Sequence, residues 1–284
     1  MNIAVASGKG GTGKTTLATA LAEAAGGRVQ LLDCDVEEPN CHIFVKLPAK
    51  TRDQVTVLVP EVVPEKCTAC GECSRACRFN AIVSLGAAPM VFSELCHGCG
   101  GCLLACPSHA LQEAQRVVGY IETSHAGDLT FIQGRLDVGQ VLSPPVIRAV
   151  RERIDPGELS IIDCPPGTAC PMVTAVRGSD YVILVTEPTP FGLHDLRLAV
   201  ETVREIGIPC GVVVNRSDGS DGLISEYCSA EGITILLRVP NDRRVAEAYS
   251  RGDGLLTSLP GLRQELKGLL VRIARFSRRP AEVR

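Results

Sequence analysis

One short segment restricts the fold of this chain more than any other. "GKGGTGKT" at 8–15 fits G-x-x-x-x-G-K-[ST], and it lies between an apolar strand pattern, "NIAVA" at 2–6, and a helical pattern over about 14–25. Such a loop works only where a strand feeds directly into the N-terminus of a helix. The glycines let backbone N–H groups close on phosphate oxygens without Cβ clashes. Lys14 is expected on the β- and γ-phosphates and Thr15 on Mg²⁺, with Gly8, Gly10, Gly11, Thr12, Gly13 and Thr16 completing the loop.

The segments that follow fit the fold this loop demands. "RVQLLD" (28–33), "LSIID" (159–163), "YVILVT" (181–186), "CGVVV" (210–214) and "ITILLRV" (233–239) read as strands. Helical patterns fall between them, such as "GLHDLRLAVETVREI" at 192–206. Near-continuous apolar strands separated by helices imply an α/β fold, a parallel sheet with helices on both faces.

From about 60 to 116 that rhythm stops. Cys67, Cys70, Cys73 and Cys77 recur 29 residues later as Cys96, Cys99, Cys102 and Cys106, and "CRFNAI" (77–82) matches "CPSHAL" (106–111). An internal duplication explains both agreements. The expected organisation is therefore a host α/β domain, 1–59 and 117–284, carrying an inserted module at 60–116. C-x2-C-x2-C-x3-C occurs twice, the second run ending in Pro107. Zinc also takes four thiolates, but three cysteines in one tight C-x2-C-x2-C run are unusual for it.

The second lysine of the loop, Lys9 in "KGGTGKT", resembles the deviant P-loop family of MinD, the ParA partition ATPases, the Mrp-type iron–sulfur carriers and the nitrogenase iron protein. That resemblance implies a MinD-like P-loop ATPase fold that binds ATP and Mg²⁺. It implies that Lys9 reaches a partner's nucleotide across a homodimer or a heterodimer of paralogues, with ATP held between the subunits. "DCDVEEPN" (33–40) resembles switch I, with Asp35 activating the attacking water and Asp33 supporting Mg²⁺. "LSIIDCPPG" (159–167) resembles Walker B and switch II, with Asp163 in the Mg²⁺ water shell and Gly167 sensing the γ-phosphate. "VVVN" ending at Asn215 and "VPND" around Pro240 resemble adenine contacts, although Asn at a strand end also serves simply as a turn residue. Phosphoryl transfer here is mostly positioning and charge neutralisation, so slow, partner-stimulated hydrolysis is expected.

The cysteine insert resembles bacterial two-cluster ferredoxins, an α+β ferredoxin-like module. The resemblance implies two [4Fe–4S] clusters, the fourth Cys of each run serving the other cluster. Cys67, Cys70, Cys73 and Cys106 would hold one, and Cys96, Cys99, Cys102 and Cys77 the second. Arg78 departs from the pattern, standing where the first repeat would carry proline.

A formal charge of −3 and the absence of Trp argue against a general nucleic-acid binder. No secretory signal pattern is visible and no apolar stretch approaches the roughly 20 residues of a membrane span, so the cytoplasm is the expected compartment. Of the remaining cysteines, Cys34, Cys164 and Cys210 are expected as packing residues. Cys170 follows Asp163 at about the separation of one cluster cysteine of the nitrogenase iron protein, but 117–158 holds no counterpart for the other. A C-terminal C-x-x-C of the Mrp carrier type is also missing, Cys228 standing alone. The helical pattern at 262–276 sets Leu262, Leu266, Leu269, Ile273 and Phe276 on one face, fitting either packing on the sheet or a membrane-binding tail; packing is the expectation.

These features lead to an ATP-hydrolysing iron–sulfur protein that couples nucleotide-dependent dimerisation to electron transfer, or to metal-cofactor assembly on a partner protein. The rival expectations are a positioning or partition ATPase with a redox-sensing or structural insert, and a plain cluster carrier.

Overall fold

The computed structural model describes residues 1–86 and 88–277. The P-loop sequence forms the connection that its glycines require, from β1 (Asn2–Ala6) to α1 (Lys14–Ala24). The chain continues through β2 (Val29–Asp33) and a single turn, α2 (His42–Val45), to β3 (Thr51–Val62). The cysteine region holds α3 (Glu72–Ala76), the hairpin β4 (Ile82–Val83) and β5 (Met90–Val91), and α4 (Gly101–Leu104). Then come β6 (Leu111–Ala126), β7 (Leu129–Leu136), α5 (Pro144–Arg151), β8 (Leu159–Asp163), α6 (Cys170–Val176), β9 (Tyr181–Thr186) and α7 (Pro190–Ile206). The last elements are β10 (Cys210–Ser217), α8 (Gly222–Ala230), β11 (Ile235–Pro240), α9 (Arg243–Ser250), α10 (Leu255–Ser258) and α11 (Leu262–Ser277).

Nine strands form one sheet in the order β11-β10-β9-β1-β8-β2-β7-β6-β3. From β11 to β7 every neighbour is parallel, as the apolar strands predict. The alternation of side chains sends Ile3, Val5 and Ile161 into one core with α1 and α11, and Ala4, Ala6 and Ile162 into a second with α5, α6 and α7. Burial on both faces is why these strands are apolar at nearly every position.

The far edge of the sheet is antiparallel. β3 and β6 pair antiparallel over almost their whole length, and β6 pairs antiparallel with β7. The chain leaves the sheet from the end of β3 and returns on β6. The 60 and 116 limits fall inside this ladder, which pairs Pro60 with Glu113 and Val62 with Leu111. These edge strands are half exposed and carry Pro60 and many polar side chains, so their apolar signal is weak.

β7 covers β6 only as far as Gly119, opposite Leu136. At that point the β3–β6 ladder slips by one residue, Val55 facing Gly119 and Thr56 facing Val117, so Val118 is a bulge. A bulge bends a strand and raises its twist. Past it, 56–62 and 111–117 continue as a two-stranded ribbon, and the cysteine region lies at the ribbon's end.

The tail helix α11 places Leu262, Leu266, Leu269, Leu270 and Ile273 in the first core, while Phe276 is exposed. Its apolar face is used in packing. Among the described residues no helix is long and apolar enough to cross a membrane.

Candidate functional site

The carboxyl ends of the central parallel strands gather the predicted groups, where open α/β sheets bind ligands. The loop after β1 turns on Gly11 and Gly13, with φ of +78° and +94°. Neither position accepts a side chain without strain, and a Cβ on Gly13 would lie 2.3 Å from Asn215 Nδ2. Asn215 comes from the end of β10 and donates from Nδ2 to the Thr12 carbonyl at 2.8 Å. It therefore buttresses the loop from outside. On the other side the loop backbone packs against α7, where a Cβ on Gly8 would meet the Asp195 carbonyl at 2.1 Å. Gly10 and Gly11 are exposed at the loop's tip, and Thr16 follows Thr15 into the first turn of α1.

Lys14 is buried at the start of α1. Thr15 Oγ1 donates to Asp163 Oδ2 at 2.6 Å, joining the loop to the end of β8. Asp163 and Asp33 sit opposite each other on adjacent parallel strands, and both are fully buried. Asp33 accepts three backbone N–H groups, from Asp35 at 3.1 Å, Asn40 at 3.1 Å and Cys41 at 3.0 Å. The segment from Asp35 to Cys41, most of it the predicted switch I, thus wraps around the Asp33 carboxylate. Burial pushes the Asp33 carboxyl well above the ordinary range, and the neighbouring Asp163 adds to it. Burial also raises Asp163, to about 6, while the Thr15 hydroxyl and Lys14 pull it down. Asp35 is raised to about 6 by burial and by Asp163, with Lys14 opposing.

A divalent cation suits this place. Asp163 Oδ1 and Thr12 Oγ1 are buried without hydrogen-bond partners, and two carboxylates lie out of water beside one lysine. Gly167 adopts φ +91° and its N–H donates to the Ser7 carbonyl at 3.0 Å, tying the predicted switch II to the first residue of the loop. Pro240 ends β11 opposite Ser217 and is exposed. Lys9 lies 3.8 Å from Glu187 Oε2 and is partly exposed; Glu187 also binds Arg216 at 2.6 Å. Sequence reasoning passed over Glu187. Its position just after β9, another carboxyl end, was the available signal.

The cysteine region repeats its backbone at the offset of its sequence. Single 3₁₀ turns at Pro64–Lys66 and Ser93–Leu95 precede the two runs. Left-handed residues recur in pairs 29 apart: Ala69 and Gly98, Gly71 and Gly100, Asn80 and His109. Ala81 N–H donates to Cys77 Sγ at 3.3 Å, and Ala110 N–H to Cys106 Sγ at 3.2 Å. Each bond sets a backbone donor on the sulfur of the fourth cysteine of its run.

The thiols group in a crossed pattern. One cavity is lined by Cys67, Cys70, Cys73 and Cys106, together with Val62, Ala110 and Leu111. The other is lined by Cys96, Cys99, Cys102 and Cys77, together with Leu58, Ala81 and Ile82. A ring stack of Phe79 on His97, centroids 3.7 Å apart, flanks the second cavity and, among the described residues, has no equivalent at the first. No three of these thiols lie within 4.8 Å of one another, because the one such group among the described residues is Asp33, Cys41 and Asp163. Ligands of a single tetrahedral zinc stand about 3.5–3.8 Å apart. A thiol set that shares one cavity without three mutually close members suits a body larger than a single ion.

Outside this region, Cys34 and Cys164 are fully buried packing residues as expected, Cys210 is partly buried, and Cys170 is exposed.

Comparison with known proteins agrees with the loop and the sheet. The CobQ/CobB/MinD/ParA nucleotide-binding domain matches residues 3–256. An uncharacterized protein of Methanocaldococcus jannaschii, MJ0578, is 34% identical over 222 residues, spanning 76% of this chain and 78% of that protein. The iron-sulfur cluster carrier protein of Aquifex aeolicus is 28% identical over 279 residues, spanning 91% of this chain and 62% of that one. In structure the chain is similar to the septum site-determining protein MinD of Pyrococcus horikoshii, solved with Mg-ADP. The TM-score is 0.57 at 19% identity, over 99% of this chain and 98% of that one, a likeness of fold alone. The matched span takes in residues 8–15, 33–40, 159–167 and Asn215, and on it the chain belongs to the CobQ/CobB/MinD/ParA nucleotide-binding family.

Proposed function

We propose that this protein binds and hydrolyses ATP and uses the nucleotide cycle to control a two-cluster iron–sulfur module that passes electrons to a partner protein or to a metal cofactor under assembly. The observation that carries the reading is the crossed grouping of eight cysteines into two cavities, four thiols to each. The absence of three mutually close thiols among the described residues, the N–H···S bonds and the likeness to an iron-sulfur cluster carrier support the same reading. Each [4Fe–4S] cluster, when bound, takes up or releases one electron at a time. Residues 63–110 form the module, the ribbon being its stem.

At the nucleotide site, backbone N–H groups of 8–15 and Lys14 hold the phosphates, and Thr15 with Asp163 holds Mg²⁺. Asp35, at the open side of the buried acidic pair, orients and deprotonates the attacking water. Lys9, released from Glu187, completes the site of a second subunit, so the active form is a dimer with ATP between its halves.

Coupling runs through switch I. The N–H of Leu136 donates to the Val36 carbonyl at 2.8 Å, and the Val36 side chain lies over Gly134. Leu136 pairs with Gly119 on β6, next to the bulge from which the ribbon leaves. Movement of Asp35 on hydrolysis therefore pulls on the strand that carries the module. The test is the rate at which the reduced protein passes electrons to an acceptor dye. ATP should change that rate several-fold in the wild type, and Asp35→Ala should bind ATP yet hold one rate without turnover. Equal rates with ATP, ADP and no nucleotide would remove the coupling.

A further inference from the structure

We propose that Asp33, Cys41 and Asp163 form a site for one thiophilic divalent transition-metal ion of the zinc class, distinct from the cysteine module. One ligand atom from each residue lies within 4.8 Å of the others, and all three residues are fully buried. Cys41 Sγ stands 3.5 Å from Asp163 Oδ2, the spacing of neighbouring ligands on a tetrahedral zinc with bonds of about 2.3 Å to sulfur and about 2.1 Å to oxygen.

One further observation points to a ligand here. Asp163 Oδ1 is buried with no hydrogen-bond partner, although the other oxygen of the same carboxylate has two. A buried polar atom without a partner is costly, and a metal-bound water would supply one. The Asp33 carboxylate is oriented by three backbone N–H groups, the outer support that metal-binding carboxylates usually have.

The thiol sets the chemistry. Mg²⁺ takes oxygen ligands in near-octahedral geometry, whereas a sulfur with two carboxylates selects zinc, cobalt or cadmium. Binding exchanges the thiol proton for the metal: the S–H bond breaks, a sulfur–metal bond forms, and one proton leaves to solvent. Cys41 directly follows the predicted switch I segment, just before α2, so the ion would pin the end of that segment to β8. It would also draw Asp163 from Thr15. On the nucleotide reading above, metal and Mg·ATP then exclude each other, and the protein turns over only when free metal is scarce.

The site itself is tested without nucleotide. The full chain, purified anaerobically with its module loaded, is titrated with Co²⁺. The wild type should take one equivalent that shows thiolate-to-cobalt charge-transfer absorption, and Cys41→Ser should lose that absorption. The same band in Cys41→Ser, or no band in the wild type, would overturn the proposal. Should Cys41→Ser fail to fold, peptide-resolved alkylation of the wild type decides. One equivalent of Zn²⁺ should slow labelling of Cys41 at least about tenfold, beyond any change at Cys34, and equal rates would overturn the site. Weaker Mg·ATP binding with Zn²⁺ present tests the exclusion separately; a metal site without it would leave the nucleotide reading as the part that failed.

Discussion

Gly134 offers the most direct probe of the contact between switch I and the sheet. A Cβ added there would lie 2.6 Å from Val36 Cγ1, 2.7 Å from Val150 Cγ2 and 3.2 Å from Val146 Cγ1. Carbon atoms pack at about 3.5–4.0 Å, so Gly134→Ala must displace at least two side chains by most of an ångström. Overpacking of this kind costs about 1–3 kcal/mol. Val146 and Val150 belong to α5 and are fully buried, so they have little freedom to move. Val36 sits in a segment without regular secondary structure and is the part that can yield. Val36→Ala alone removes two buried methyl groups and costs about 1–2 kcal/mol. In the double variant the new methyl takes the vacated space, so its loss should fall short of the sum of the singles by about 1 kcal/mol or more. Urea denaturation followed by circular dichroism measures all four proteins. Gly134→Ala should also alter ATP turnover, with recovery in the double variant. Additive stability losses, or an unchanged ATPase rate in a destabilised Gly134→Ala, would refute the idea that switch I rests on β7.

Three other outcomes follow from the site. Asn215→Ala removes the 2.8 Å bond to the Thr12 carbonyl; it should cost about 1 kcal/mol in stability and weaken nucleotide affinity measurably, as titration with a fluorescent analogue would reveal. Burial raises Asp35 to about 6, so folded protein binds a proton that the unfolded chain has lost, and stability falls as pH rises from about 4 to about 6. Asp35→Asn escapes that loss. Its stabilisation, at most about 3 kcal/mol and about 1–2 kcal/mol after screening on the open side, should be full at about pH 8 and roughly half as large at about pH 5, as paired denaturation curves would establish. With the apolar face of α11 in the core, the chain should not co-sediment with anionic liposomes, with or without ATP; ATP-dependent binding would favour a positioning role.

The parallel half of the sheet was legible because burial on both faces makes β1, β2, β8, β9 and β10 apolar almost throughout. Their carboxyl ends carry the groups that motif spacing singled out. The edge was not legible. β3 and β6 expose one face, β6 runs "LQEAQRVVGYIETSHA" with charges on both sides of its apolar residues, and β3 carries a proline, Pro60, within it. Pairing along that ribbon is a long-range fact that no local pattern carries. The cysteine spacing announced a duplication, and the backbone repeats it at Ala69 and Gly98 as well as at Asn80 and His109. Cys41 could not be placed beforehand. Nothing in its neighbours along the chain signals a position between Asp33 and Asp163, which follows from a loop folding around one carboxylate.

The two-cluster module stands or falls on metal content read cavity by cavity. Anaerobically purified protein should contain about eight iron atoms and about eight acid-labile sulfides per chain. Cys106→Ala should weaken the cluster held with Cys67, Cys70 and Cys73, and Cys77→Ala the one held with Cys96, Cys99 and Cys102. Electron paramagnetic resonance of the reduced proteins should therefore lose a different signal in each variant. Stoichiometric zinc in place of iron, or loss of the same signal from both variants, would contradict the account.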